Sequence, residues 1–93
     1  MLEDNMVKDA LKLALGGGKR VALIYKNYNR CYAGLREAER LLIKSGGCLF
    51  KVNVTELKIQ FPKLGSKIWF ITGDEDYIKI RLAGLNVHTT IKE

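Results

Sequence analysis

The sequence predicts an α/β domain, a small two- or three-layer unit in which two to three helices pack on a mixed, largely parallel sheet that includes one β-hairpin. Three observations lead there. Val21-Ala22-Leu23-Ile24-Tyr25 is a continuous apolar run without alternation, the mark of a strand covered on both faces, as in parallel sheets. Apolar residues at helical spacing lie on both sides of it in the chain. Two shorter strand-like runs further on are separated by turn chemistry at Pro62-Lys63-Leu64-Gly65-Ser66. None of the three settles the strand order.

The elements follow in order. Met6, Val7, Ala10, Leu11, Ala14 and Leu15 fall at helical spacing, with Asp4 or Asn5 as N-cap and Gly16 for the left-handed C′ position. Gly16-Gly17-Gly18-Lys19-Arg20 has the composition of a phosphate-binding loop in the wrong order. The helix-like run precedes the glycines, the strand follows them, and Arg20 stands where a Mg²⁺-holding hydroxyl is needed. The stretch reads as a helix stop. After the strand, Lys26-Asn27-Tyr28-Asn29-Arg30 is a polar loop whose Asn29 can cap a second helix. That helix carries a stripe of Cys31, Leu35, Ala38 and Leu42, with Arg36, Arg40 and Lys44 on a neighbouring face, and stops at Ser45-Gly46-Gly47. Cys48 to Asn53 is strand-like, and Leu57, Ile59 and Phe61 alternate with Lys58 and Gln60 before the turn and the strand Lys67 to Ile71. Asp74, Glu75 and Asp76 precede a short helix whose N-terminal dipole favours them, Gly84 ends it, and Leu85 to Ile91 reads as a last strand.

Ninety-three residues, 47% hydrophobic, make one domain over residues 1–93, too small for a nucleotide pocket plus a separate substrate domain. Sixteen Lys and Arg against ten Asp and Glu leave a net charge of +6, which favours polyanionic partners, although charge alone speaks to partners and not to fold. Cys31 and Cys48 have no CxxC spacing and no second His, so neither zinc nor a disulfide framework is indicated and reduced thiols in a cytoplasm are expected. No run approaches the ~18 apolar residues of a membrane span, and Met1 to Asn5 is too acidic for a signal peptide. The three acids at 74–76 lack EF-hand spacing, so no metal is expected, and no cofactor either. His88, the sole histidine, has no Ser, Cys or Asp partner placed by spacing, which leaves no catalytic residue to name.

In this order the segments resemble an internal piece of the ATPase core of viral terminase large subunits and related helicase-type, RecA-like motors. The likeness is carried by Val21 to Asn27 as a second conserved segment of apolar strand and polar loop, and by Ile59 to Phe70 as a hairpin ending in Phe. Ile80-Arg81-Leu82-Ala83-Gly84-Leu85-Asn86 is similar to the Arg-Gly segment ahead of the acidic strand, and Val87 to Glu93 to that strand itself. The resemblance implies that the family's first strand and phosphate loop, expected ahead of Met1, are absent, and with them the centre of the sheet. Lys92 occupies the position of the Mg²⁺-binding Asp, and a lysine cannot hold Mg²⁺. Glu93 would correspond to the general base.

The resulting expectation is a non-enzymatic basic accessory protein of viral type, located in the host cytoplasm, derived from or mimicking such a motor. It would bind nucleic acid or a nucleic-acid-processing complex. Lys26, Asn27 and Arg30 would contact phosphates, Tyr28 would stack on a base, and Arg36 and Arg40 would extend the surface, unless Glu37 and Glu39 neutralise them. The alternative is a protein-interaction module that modulates an enzyme through the hairpin edge, with Lys67 and Trp69 as contacts, unless Trp69 simply fills the core. An edge left open by the missing strand would be closed by a homodimer.

Overall fold

A computed structural model describes residues 5–93 of the chain. The order is α1 (Asn5–Leu15), β1 (Arg20–Ile24), α2 (Tyr28–Ser45), β2 (Lys51–Asn53), β3 (Lys58–Phe61), β4 (Ser66–Ile71), α3 (Glu75–Leu85) and β5 (Thr89–Lys92). The five strands form one mixed sheet in the order β2-β3-β4-β1-β5. β1 runs parallel to both β4 and β5, while β2-β3-β4 is an antiparallel meander containing the expected hairpin.

Period-two alternation sorts the side chains into two layers. Val21, Leu23, Ile59, Phe61, Ile68 and Phe70 point to one face. There they meet Val7, Ala10, Leu11 and Ala14 of α1 and the stripe Cys31, Leu35, Ala38 and Leu42 of α2, all buried. On the other face Ala22, Ile24, Trp69 and Ile71 are covered by Ile78, Leu82 and Leu85 of α3, with Val87 beside them. The architecture is therefore three-layered, and α3 covers only the β1 and β4 part of its face. Among the described residues no helix is long and apolar enough to cross a membrane.

The glycine run ends α1, and the details of that ending differ from expectation. Gly17 (φ 90°) and Gly18 (φ 67°), not Gly16, take the left-handed conformation. Every N–H of the run is engaged inside the protein: Gly16 donates to Leu13, Gly17 to Ala14, Gly18 to Leu64 and Lys19 to the Ser66 hydroxyl. Buried Ser66 in turn donates to the Ala14 carbonyl at 2.7 Å, satisfying one of the free carbonyls at the end of α1. These amides have no free donors to cradle a phosphate.

Other boundaries shift for local reasons. Asn27, in extended conformation, caps α2 by accepting the Arg30 N–H, which places Asn29 inside the helix. Gly84 also lies within its helix; α3 runs to Leu85 and closes at Asn86 (φ 53°), so the last strand shortens to four residues. Only Lys51–Asn53 of the expected Cys48–Asn53 strand finds a ladder, against β3. Asp4, the other N-cap expected for α1, lies outside the described residues.

Two expectations about open strand edges are corrected, one drawn from a missing central strand and one from the hairpin. β1 is paired on both sides, so no gap opens at the centre, and the open edges are β2 and β5. β4 is likewise interior, between β3 and β1, so Lys67 to Ile71 presents no free edge.

Candidate nucleic-acid interface

The loop after β1 is drawn inward by Glu93. Its backbone N–H donates to the Ile24 carbonyl, which brings the side chain over the start of α2. One carboxylate oxygen accepts the Lys26 N–H at 2.9 Å, and the other accepts both the Nε and a terminal nitrogen of Arg30. The Arg30 guanidinium, followed by the Lys26 amide, holds the Glu93 carboxyl below the usual carboxylate range. Arg30 is thus neutralised within the chain, and Asn27 is occupied as the cap. Of this group Tyr28 stays open, 57% exposed and stacked on Tyr32 with centroids 6.4 Å apart, while Lys26 keeps an exposed side chain.

Farther along α2 the arginines are paired along the helix itself. Arg36 lies 5.0 Å from the Tyr32 ring centroid, takes its hydroxyl as a partner, and bonds Glu39 at 2.7 Å. Arg40 forms a two-bonded pair with Glu37. This is the interleaved, self-neutralised face that Glu37 and Glu39 allowed, with little positive charge left for a polyanion.

Lys67 and Trp69 sit on the α3 side of β4. Trp69 is only 6% exposed beneath α3, so its ring is unable to anchor a partner without displacing that helix. Lys67 belongs to a different neighbourhood. Registers across the sheet align Arg20, Lys67, Gln60 and Lys51 in one row and Trp69, Lys58 and Asn53 in the next, all on the face that α3 leaves bare over β2 and β3. Glu56 is bonded to Lys58 at 2.8 Å. Its carboxyl is held low by Lys58 first, with Arg81 and Lys67 adding to the pull, which places those two cations at the same patch. Among the described residues no ion pair holds Lys51 or Lys67. Both line a groove of about 280 Å³ with Gln60 and the turn residues Phe61, Pro62, Gly65 and Ser66.

The remaining polar residues have structural positions. His88 Nδ1 accepts the Arg20 N–H at 3.0 Å, and the His88 backbone N–H donates to the Arg20 carbonyl, which pins the start of β5 to β1. Asp74 caps α3 by accepting the Tyr77 N–H at 2.8 Å. Among the described residues no group of three His, Cys, Asp or Glu side chains converges as a metal site would.

Sequence reasoning placed the cations of the site on the loop after β1 and on α2. The structure brings together instead Lys51, Lys58, Lys67 and Arg81, from β2, β3, β4 and α3. The signal available was the alternation of Lys58 and Gln60 with Ile59 and Phe61, which identifies a half-buried strand but not which neighbours share its wet face. No protein-family model, curated protein or solved structure matches the chain.

Proposed function

We propose that the chain is a non-enzymatic accessory protein, of viral type and derived from or mimicking part of a nucleic-acid motor, that binds nucleic acid through the bare face of β2-β3-β4. The observation that carries this reading is the cluster Lys51, Lys58, Lys67 and Arg81 on a polar surface with Glu56 as its acid. A polyanion gains most where cations are not already paired, and those on this face are less neutralised than Arg30, Arg36 and Arg40. Asn53 and Gln60 add amides that can reach phosphate or base edges. Glu93, at the position of the motor family's general base, is tied to Arg30 and the Lys26 amide, in keeping with a binding role without catalysis.

The test is fluorescence anisotropy with labelled single- and double-stranded oligonucleotides at low salt. Binding is expected to weaken more than about tenfold in Lys51→Glu/Lys67→Glu and to change little in Arg36→Ala/Arg40→Ala. With roughly three or four phosphates covered, log K on duplex should fall with log salt at a slope of about −2.7 to −3.6. Absence of binding to DNA or RNA at low salt refutes the proposal, as does ATP turnover by the purified chain that disappears in Glu93→Gln. Capture of a partner protein through the Lys67–Ile71 hairpin is less well supported, because β4 is flanked on both sides.

A further inference from the structure

Helix α3 carries apolar residues on its outer side as well as on the side facing the sheet, with Lys79 and Arg81 on its flanks. Ile78, Leu82 and Leu85 turn inward onto the sheet, yet the outer side carries Ile80, 75% exposed, with Ala83 and Gly84 exposed beside it and Tyr77 46% exposed one turn earlier. A surface helix ordinarily keeps its apolar residues in one stripe facing the core. The ends of α3 differ in charge. Exposed Asp74, Glu75 and Asp76 form the first, with no ion pair among the described residues. At the other, the Arg20 guanidinium reaches the Asn86 carbonyl at 2.9 Å, close to exposed His88.

We infer that α3 pairs antiparallel with α3 of a second copy of this chain, about a two-fold axis passing at Ile80. The pairing sets Ile80 against its own counterpart and lays each Tyr77 over the other copy's Gly84, beside which nothing lies within 4 Å. It also brings each acidic first turn to the Arg20 end of the opposite helix. A parallel pairing would put the acidic turns together and the Arg20 ends together, where like charges repel. The complementary charges of the two ends of α3 are what selects a second copy as the occupant. The same axis keeps both bare β2-β3 faces on one side of the helix pair, so that Lys51, Lys58 and Lys67 of the two copies face each other across a basic cleft.

One helix pair covers less than the ~800 Å² per partner of a standard interface, so a dimer that dissociates on dilution is expected. Sedimentation equilibrium from roughly 10 μM to 1 mM, without nucleic acid, reads it directly. Because no nucleic acid is present, the result is independent of the binding proposal above. The wild type should move from monomer to dimer across that range. Ile80→Lys, whose side chain is solvent-facing and whose fold is checked by circular dichroism, should stay monomeric throughout. Glu75→Lys/Asp76→Lys and Arg20→Glu should each weaken association about tenfold, and an equimolar mixture of the two should recover it. A wild type that remains monomeric at the highest concentration overturns the inference. So does an Ile80→Lys variant that dimerises as tightly as the wild type, which would move the contact to an open edge such as β5.

Discussion

Among the described residues, the sheet face under α1 and α2 closes over fifteen buried hydrophobic residues, whereas the face under α3 closes over four, and α3 buries none of its own. Two amphipathic helices seal the first face. The second is divided between a helix with apolar residues on its outer side too and a bare surface of lysines and amides. The difference separates a side that holds the fold from a side left available for contacts. A molecule of this size needs one well-packed core, and one face supplies most of it.

The largest effect that can break this comparison is truncation on either side. Phe61→Ala, at a fully buried ring under α1 and α2, should cost about 3–5 kcal/mol, whereas Leu82→Ala on α3, at a half-buried site, should cost about 1 kcal/mol. Urea unfolding followed by the fluorescence of Trp69, the one tryptophan, measures both. Equal costs would mean that the α3 face contributes as much as the other.

Two glycines sharpen the same contrast. A Cβ at Gly34 of α2 would run into the buried Tyr25 phenol, so Gly34→Ala should lose about 1–3 kcal/mol through overpacking. A Cβ at Gly84 of α3 meets nothing within 4 Å, and Gly84→Ala should gain about 0.5–1 kcal/mol through helix propensity, measured at dilution.

Thiol chemistry reports the seal without mutation. Burial, with Glu93 adding a smaller push, raises the Cys31 thiol to about 11, so at pH 8 Cys31 should react with an aromatic disulfide far more slowly than half-buried Cys48. Similar rates in the native protein would show that α2 opens readily.

The smallest expected effect is that of pH on Glu93. Its carboxyl lies below the usual range in the folded chain, so its contribution to stability is complete above the ordinary glutamate pKa of about 4.3 and is lost as pH falls through the lower folded value. Glu93→Gln should flatten that acid limb and leave the response of the α1 and α2 core unchanged. An unaltered limb would show that the contact with Arg30 and Lys26 contributes nothing measurable.

Much of the fold was legible because it rests on local periods. The unbroken run Val21 to Tyr25 became a strand paired on both sides, and the stripe Cys31, Leu35, Ala38, Leu42 became the buried side of α2. The glycine run was legible as a helix stop, but which glycine turns left-handed depended on carbonyls at Leu13, Ala14 and Leu64 that compete for its amides. The candidate site was legible only in fragments. Arg36 and Arg40 drew attention by their spacing, and the same spacing supplied Glu39 and Glu37 to pair with them. Lys58 and Lys67 stood on the two strands of the expected hairpin, but nothing in the chain order gave the register that puts them on one face or the pairing that adds Lys51.

The sequence by itself determined which residues turn inward, because alternation in a strand and 3.6-residue repetition in a helix are properties of neighbouring positions. Only the tertiary structure decided that β4 is interior, that Trp69 is covered and that the lysines of β2, β3 and β4 share one bare face. Those outcomes follow from strand order and from where α3 is laid across the sheet, and both are settled by contacts between residues far apart in the chain.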